Sequence, residues 1–582
     1  MKRFTVLNNP PAKTQWRSLE ERAGKPDTEI AELESPNGAR EWEQTEGISR
    51  RGFMGVASTL AASSALLAGC IRKPTEYIVP LSVRPEDRIP GAPLYYNTVA
   101  RIGGSVMGMR VTSMDGRPTK VDGNPNHPAS LGGANTFAQA SIMELYEGER
   151  ARTPSKAGAE ATWDDFTGWA SGAFKPGSGK GMALLVEENC SPTTAGLLEK
   201  FVAAYPGARV FVHDPSRPSN AIEGAAQVGL AGWRSWNDLG AAKVIAAFDS
   251  DFLGVDGDVV RNTKGWARSR AISGNTADIS RLYVVEPSFT NTGANADNRL
   301  RLKASAVGGF LAAVAKKVFA SGVSAPAGAS AAIGALKGDA GGKDAWVDAL
   351  AKDLVANRGA GVVMVGSGQP GWVHGVANLL NAALGNVGKT TFWGPSNATT
   401  DATPGLDELA AAVKGRSVNT LVMLGGNPVL TAAADLGFGE LLGSVENSVH
   451  LSRTVNETSA KAGWHLPESH WLESWGDATA FDGTYALQQP LIAPLFGTWS
   501  ANELLARLLD GKGASGYDLV RETAKAMAGG DFDTTWGRWL HDGVGKRAEA
   551  AAAPLAAGSV PDVDEAAEPT EEVAAAAEDA AA

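Results

Sequence analysis

The sequence predicts an α/β protein with several layers of parallel strands and helices, preceded by a small antiparallel sheet near the N-terminus. Beyond Trp163, short apolar runs alternate with helical segments, a pattern typical of parallel strands joined by helices. Between Tyr95 and Val121, apolar and polar residues alternate, as in antiparallel strands with one buried face. The chain of 582 residues is long enough for several domain-sized units.

The elements of the body follow in order along the chain. The antiparallel sheet is predicted within residues 95–160, and residues 105–111 give its clearest alternating run. Buried strands are predicted at residues 182–186, 209–213, 244–248, 282–285, 361–365, 390–393 and 421–424. Helices are predicted at residues 193–205 and 373–384. A stretch rich in Ala and Gly, residues 321–342, is interpreted as a linker between a first α/β unit (161–320) and a second one (343–545).

A pair of arginines precedes the body. Arg50 and Arg51 stand in the order Ser-Arg-Arg-Gly-Phe-Met, with Phe53 close behind, and an uncharged stretch of small and apolar residues follows. The pattern is typical of a twin-arginine export signal, and the stretch is shorter than the roughly 20 apolar residues of a membrane span. It ends in Leu-Ala-Gly-Cys, so Cys70 is a candidate for lipidation. Residues 49–70 therefore predict export to the periplasmic face of a bacterial cytoplasmic membrane.

The segments around the signal and after the body are predicted to lack a packed core. Residues 1–48 form an extended polar leader with a short helical patch at 13–21. Residues 71–94 form a connector that proline interrupts too often for a helix. The acidic, Ala- and Glu-rich tail at 546–582 is predicted to be disordered.

The charge distribution argues against nucleic acid as a partner. The net charge is -11, but the last stretch, residues 559–582, holds eight acidic residues and no basic one. The rest of the chain is therefore almost neutral. Proteins that bind nucleic acid depend on a basic surface to displace counterions from phosphates. We expect no nucleic-acid partner.

The number of cysteines limits the redox chemistry of this chain. It contains 2 cysteines, Cys70 and Cys190. A cubane iron–sulfur cluster needs four thiolates, and a disulfide framework needs several pairs. We therefore expect no iron–sulfur cluster in this chain.

Several short motifs follow one another in the order that they have in molybdopterin oxidoreductases. They lie at residues 123–128 (Gly-Asn-Pro-Asn-His-Pro), 132–133, 139–150, 247–254, 284–287, 292–297, 425–428, 456–458, 465–467, 472–473 and 482–483. Each motif is short, but the ordered set is specific, and the chain resembles that family over residues 71–545. The resemblance implies a multidomain α/β body of the kind that encloses a molybdenum cofactor in catalytic members.

Three departures from the family pattern bear on function. Where catalytic members have a cluster-binding cysteine, then a basic residue and a glycine, this chain has Asn135, Phe137 and Ala138. The family's molybdenum ligand would fall at Ser216, whose proline-flanked loop is typical of a turn, and Cys190 lies one strand too early. We also expect the closing C-terminal β-barrel domain of the family to be lacking.

A molybdopterin-type body without cofactor ligands, behind an extended twin-arginine leader, resembles the large peripheral subunit of alternative complex III in its split form. The resemblance implies a cofactor-free scaffold in a membrane-bound quinol-oxidising respiratory complex, without catalytic, cofactor-binding or metal residues of its own. The implied partners are an iron–sulfur ferredoxin-like subunit, a multihaem cytochrome c, a monohaem cytochrome c and polytopic membrane subunits that oxidise quinol. Iron–sulfur clusters and c-type haems would belong to those partners.

Two other functions remain open from the sequence. The chain could be an active periplasmic molybdopterin-dependent oxidoreductase that uses Ser216 or Cys190 as the metal ligand. It could also be a carrier that accompanies a cluster protein through the export pore and then leaves it. Metal content separates the first alternative from a scaffold, and stable co-purification separates the second.

Overall fold

The computed structural model describes residues 89, 91–272, 279–324, 326, 334 and 336–545. The predictions on the leader, the export signal, most of the connector and the acidic tail lie outside the described residues. They include the four residues singled out in the signal, Arg50, Arg51, Phe53 and Cys70. Among the described helices, none combines the length and the apolar character that a membrane crossing requires.

The bounds of the described elements are as follows. The strands are β1 (Leu94–Ile102), β2 (Ser105–Met114), β3 (Arg117–Gly123), β4 (Ser155–Lys156), β5 (Ala159–Glu160), β6 (Met182–Val186), β7 (Arg209–Val212), β8 (Trp233–Asn237), β9 (Val244–Phe248), β10 (Arg281–Glu286), β11 (Asn298–Arg301), β12 (Gly361–Val365), β13 (Thr391–Pro395), β14 (Thr420–Leu424), β15 (Asn447–Ser452), β16 (Trp464–Pro467), β17 (Gly476–Thr479) and β18 (Tyr485–Gln488). The helices are α1 (Thr136–Leu145), α2 (Trp163–Ala173), α3 (Pro192–Ala204), α4 (Ser219–Gln227), α5 (Val259–Ser269), α6 (Asn291–Ala294), α7 (Ala304–Ala320), α8 (Asp344–Ala356), α9 (Gly371–Ala383), α10 (Leu406–Lys414), α11 (Pro428–Thr431), α12 (Phe438–Gly443), α13 (Ala501–Asp510), α14 (Gly516–Met527) and α15 (Phe532–Asp542), with a short 3-10 helix at Ala434–Leu436.

The small antiparallel sheet near the N-terminus is confirmed. Its strands lie in the order β1-β2-β3, and β1 pairs with β2 along its whole length. The turn between them is Gly103-Gly104, and both residues have a positive φ, which glycine adopts without strain. The helix α1 packs on this sheet, so that Met109 and Leu145 share one buried cluster.

The larger α/β sheet has seven strands, in the order β5-β4-β16-β15-β14-β6-β7. The strands from β16 to β7 are parallel, whereas β4 and β5 add an antiparallel edge. The central strands are buried on both faces, as expected where helices cover a parallel sheet on both sides. Leu184 and Val422 belong to one core, and Leu185 and Met423 belong to the core on the opposite face.

The second α/β sheet has four parallel strands, in the order β11-β10-β9-β12. Successive side chains of its central strand β9 pack alternately into two hydrophobic cores. Val244 and Phe248 pack with the helices α7, α8 and α9, whereas Ile245 and Ala247 pack on the side of α5. The predicted α/β class is therefore confirmed.

The pairing of strands does not follow the division predicted at residues 321–342. The strand β12 lies beside β9, although this stretch separates them in the chain, and β14 pairs with β6. Within the stretch, Val323 and Leu336 are buried in the core of the second sheet. An apolar run predicts that a strand is buried, but it carries no information on which strand lies beside it. Chain order alone therefore suggested a boundary that the sheets do not have.

Two antiparallel ribbons lie outside the parallel sheets. The strand predicted at residues 390–393 exists as β13, but it pairs antiparallel with β8 instead of joining a parallel sheet. The sequence of β8, Trp-Arg-Ser-Trp-Asn, has no apolar run, so periodicity does not predict this partner. The strands β17 and β18 form the second ribbon. The ribbon of β8 and β13 forms one wall of a cavity that lies near the carboxyl ends of the larger sheet.

Candidate functional site

Charged residues follow the carboxyl ends of the strands in the larger sheet. Glu188 lies just after β6, and Asp214 lies just after β7. In open α/β sheets, ligands bind in the crevice outside the carboxyl ends of the strands, where neighbouring loops diverge. A cavity of about 270 Å³ opens near these strand ends. Its walls come from the start of β2, the segment after β6, the strands β8, β12 and β13, and the helices α4, α5 and α9.

A network of two arginines and three carboxylates lies beside this cavity, and we call it the arginine–carboxylate network: Arg101, Glu188, Asp214, Arg234 and Asp401. Glu188 is its centre, because its side chain is 0 % exposed and bridges both arginines. It accepts a hydrogen bond from Nη2 of Arg101 at 2.8 Å on one oxygen and one from Arg234 on the other. The free-energy cost of burying this carboxylate is offset by two charge-assisted hydrogen bonds.

The other two carboxylates complete the coordination of the arginines. Nη1 of Arg101 donates to Asp214 at 2.5 Å. Arg234 donates two hydrogen bonds to the carboxylate of Asp401, one from Nε at 3.2 Å and one from Nη2 at 2.5 Å. The network therefore joins the small sheet, the larger sheet, the ribbon strand β8 and the segment after β13.

The network changes the acidity of its members. Burial alone would lower the pKa of the Arg101 guanidinium, but the charges of Asp214 and Glu188 outweigh it and raise that pKa. Burial would raise the pKa of the Asp214 carboxyl, but Arg101 and hydrogen bonds from Ser216 lower it below its usual range. Arg101 and Asp214 therefore stay charged at neutral pH.

Ser216 lies beside this network and is hydrogen-bonded to two of its members, Asp214 and Arg101. Its Oγ donates to Oδ1 of Asp214 at 2.6 Å, its backbone N–H donates to the same oxygen at 2.8 Å, and Nη2 of Arg101 donates to Oγ at 3.3 Å. A hydroxyl that is hydrogen-bonded to a carboxylate two residues earlier is a turn residue. This geometry agrees with the turn interpretation of its sequence and gives no sign of an open metal ligand.

Cys190 lies close to the same network, so the structure brings the two predicted ligand candidates together around Arg101. Its thiol is 5 % exposed and accepts a hydrogen bond from the side-chain amide of Asn397 at 3.6 Å. Burial raises the pKa of this thiol to about 12, and Arg101 offsets only part of that effect. Metals bind the thiolate, so a ligand role for Cys190 would require a metal charge that displaces the proton from this desolvated thiol.

The described residues as a whole offer no alternative ligand set. No group of three or more His, Cys, Asp or Glu side chains within them is arranged to hold a metal ion. At the two positions suggested as molybdenum ligands, the structure shows a buried thiol and a hydroxyl that donates to Asp214.

The segment that holds a cluster-binding cysteine in catalytic relatives has a structural role here. Asn135 is the N-cap of α1, and its side chain accepts a hydrogen bond from the backbone of Ala138 at 2.8 Å. Ala138 is buried in the small-sheet core, whereas Phe137 is 71 % exposed. These residues therefore begin α1 and anchor it on the small sheet.

Sequence reasoning missed most of the network. Arg101, Glu188, Arg234 and Asp401 were not singled out, because each charge is separated from its partner by at least 46 positions in the chain. One signal was available, since Glu188 follows a fully apolar strand at the edge where ligands bind in such sheets.

Comparison with known proteins identifies the fold. No family model matches the chain. It is 25% identical over 487 residues to the menaquinone reductase, molybdopterin-binding-like subunit, of Nitratidesulfovibrio vulgaris (strain Hildenborough), covering 76% of this chain and 70% of that one. The solved structure of acetylene hydratase from Pelobacter acetylenicus superposes with a TM-score of 0.56 at 12% identity, covering 71% of this chain and 68% of the other. The fold of the chain is molybdopterin oxidoreductase-like.

This result confirms the first resemblance and leaves the second as a prediction. The molybdopterin oxidoreductase-like fold was predicted from the ordered motifs, and both comparisons agree with it. The relative is named as a subunit of a menaquinone reductase, so the narrower assignment to alternative complex III is not tested by it.

Proposed function

We propose that the chain is a cofactor-free structural subunit of a membrane-bound respiratory complex that oxidises quinol, of the alternative complex III type. The observation that carries the proposal is the arginine–carboxylate network, because it engages Ser216 in hydrogen bonds and lies beside the buried Cys190. The relative named as a molybdopterin-binding-like subunit of a menaquinone reductase supports a link to quinone chemistry.

The body would act through contact with other subunits. The expected partners are an iron–sulfur ferredoxin-like subunit, a multihaem cytochrome c, a monohaem cytochrome c and polytopic membrane subunits. The clusters and haems of these partners would carry the electrons. The pattern around Arg50 and Arg51 supports export to the periplasmic face of the membrane, and Cys70 would carry a lipid anchor there.

The decisive experiment combines metal analysis with two substitutions in the purified membrane complex. A scaffold predicts no stoichiometric molybdenum, tungsten or pterin in this subunit, even after growth with excess molybdate. It also predicts that Cys190→Ala and Ser216→Ala complexes retain full quinol oxidation. Near-stoichiometric molybdenum, or loss of activity in either variant at normal subunit content, would establish an active molybdenum enzyme instead.

Co-purification tests the subunit role itself. Complexes extracted with mild detergent should contain this chain together with haem- and cluster-bearing subunits in a fixed ratio. A matched pair of signal variants, Arg50→Lys with Arg51→Lys against Arg17→Lys in the leader, tests export separately. Release of the chain from its partners after export would favour the carrier instead.

A further inference from the structure

The outer face of α1 carries a row of exposed apolar side chains. Phe137 and Met143 are each 71 % exposed, Ala140 is exposed between them, and Tyr146 at the C-cap is 47 % exposed. These residues are spaced three positions apart, and side chains at that spacing form a continuous ridge on the surface of a helix. We call Phe137, Ala140, Met143 and Tyr146 the α1 ridge.

The opposite face of α1 is apolar as well. Ala138 and Leu145 are buried in the core of the small sheet. A helix at the surface of a globular protein normally has a polar outer face, whereas a helix that is apolar on all sides is normally buried. The α1 ridge therefore has the composition of a surface that another molecule covers. Its aromatic and methionine side chains are of the types that are enriched in protein–protein contacts.

The helix α1 is fixed in place by hydrogen bonds to other elements. The hydroxyl of Tyr146 donates to the backbone oxygen of Pro118 in β3 at 2.8 Å. Nε2 of His470 donates to the backbone oxygen of Ser141 at 3.1 Å. A helix that is already ordered loses little conformational entropy when a partner binds to it. The α1 ridge is therefore a preformed contact surface.

Acidic side chains lie beside the α1 ridge. Glu144 is paired with Arg453 at 3.2 Å. Glu147 and Glu149 are exposed, and among the described residues no cation forms an ion pair with either of them. Arg117, a cation near this surface, interacts with the Tyr146 hydroxyl instead. The two carboxylates are therefore free to pair with basic groups of another molecule.

These charges discriminate between possible occupants of the surface. In a twofold dimer the same surface meets itself, so Glu147 and Glu149 would face like charges. Anionic lipid head groups would be repelled by the same carboxylates. A different protein that places Lys or Arg opposite them would have complementary charge.

We infer that the α1 ridge is a docking surface for an α-helix of another protein subunit. That helix has an apolar stripe that packs on the ridge, and Lys or Arg side chains that face Glu147 and Glu149. A ridge formed at every third position fits the grooves between the side-chain rows of a facing helix. The inference rests on the proposed function, since it requires a partner subunit, and it adds where that subunit binds and what it presents.

Site-specific cross-linking identifies the occupant. Met143 is replaced by a photo-reactive phenylalanine analogue in the full-length protein, the membranes are irradiated, and the cross-linked peptide is identified by mass spectrometry. We expect a peptide of another subunit that has apolar residues at helical spacing and at least one Lys or Arg. The same analogue at Phe289, which is 73 % exposed and follows β10, should not give this peptide. Cross-links to lipid, to a second copy of this chain or to a peptide without basic residues would each overturn the inference, as would the absence of any cross-link.

Substitutions test the contribution of the ridge to binding. Phe137→Gln combined with Met143→Gln removes the apolar contacts and keeps good helix formers in α1. We expect the amount of the cross-linked subunit recovered per copy of this chain to fall at least about tenfold. The control Phe289→Gln should leave it unchanged. Glu147→Lys should lower recovery by about threefold, with a larger effect at low salt. Full recovery with the double variant would contradict the docking assignment.

The outcomes separate this inference from the proposed function. If the unsubstituted protein is recovered without any other subunit, both are wrong. If the double variant retains the haem- and cluster-bearing subunits in the same ratio as the unsubstituted protein, only the docking assignment is wrong. Molybdenum content bears on the proposed function alone.

Discussion

Replacement of Glu188 by glutamine tests the arginine–carboxylate network most directly. Glu188 accepts hydrogen bonds from Arg101 and Arg234 on separate oxygens, and its side chain is 0 % exposed. Glutamine keeps the shape but has a single acceptor oxygen, so its amide group would face one guanidinium as a second donor. One charge-assisted hydrogen bond, about 1.5–3 kcal/mol, is then lost, and the other is weakened by about 1 kcal/mol. We expect the free energy of unfolding at pH 7 to fall by about 3 kcal/mol.

The assay is urea unfolding followed by tryptophan fluorescence, with midpoint and slope compared between variants. Glu199→Gln is the matched control, because Glu199 is exposed on α3 and should change stability by less than about 0.5 kcal/mol. Hydrogen exchange should rise in β1 and β8, which carry the two arginines. A Glu188→Gln protein as stable as the Glu199→Gln control would refute the argument that the network holds these elements together.

Three further predictions follow from buried ionisable groups. Arg150→Lys should destabilise the fold by about 2–3 kcal/mol. Arg150 donates two hydrogen bonds to the Glu473 carboxylate, at 3.0 and 2.6 Å, and the two side chains are 1% and 0% exposed. The control Arg268→Lys, at a side chain that is 65% exposed, should be nearly neutral in the same urea assay. Burial, together with nearby carboxylates, raises the pKa of Glu468 to about 7 in the folded state. The folded protein therefore holds a proton on Glu468 that the unfolded chain releases, and the free energy of unfolding should fall by up to about 3 kcal/mol as pH rises from about 4.5 to 7. Glu468→Gln should remove that pH dependence, and an unchanged pH profile in this variant would contradict the prediction. The thiol of Cys190, with its pKa raised to about 12 by burial, should resist alkylation by iodoacetamide at pH 8 in the folded protein and react in urea, as followed by peptide mass spectrometry.

The fold was predictable to the extent that burial leaves a local mark in the sequence. The strands at residues 182–186, 244–248 and 361–365 match β6, β9 and β12 residue for residue, because they are buried on both faces and read as continuous apolar runs. Partial burial leaves a weaker mark, so β8, whose residues are mostly half-buried, was missed. The order of strands in each sheet depends on contacts between distant segments, and no periodicity encodes it.

Little of the candidate site could be predicted from the sequence. Composition and spacing predicted that Cys190 and Ser216 are poor ligands, and the structure shows a desolvated thiol and a hydroxyl that donates to Asp214. The arginine–carboxylate network could not be derived, because Arg101 and Glu188 are ordinary surface-type residues until the fold brings them within 2.8 Å of each other. Contacts between residues so far apart in the chain leave no local mark in the sequence.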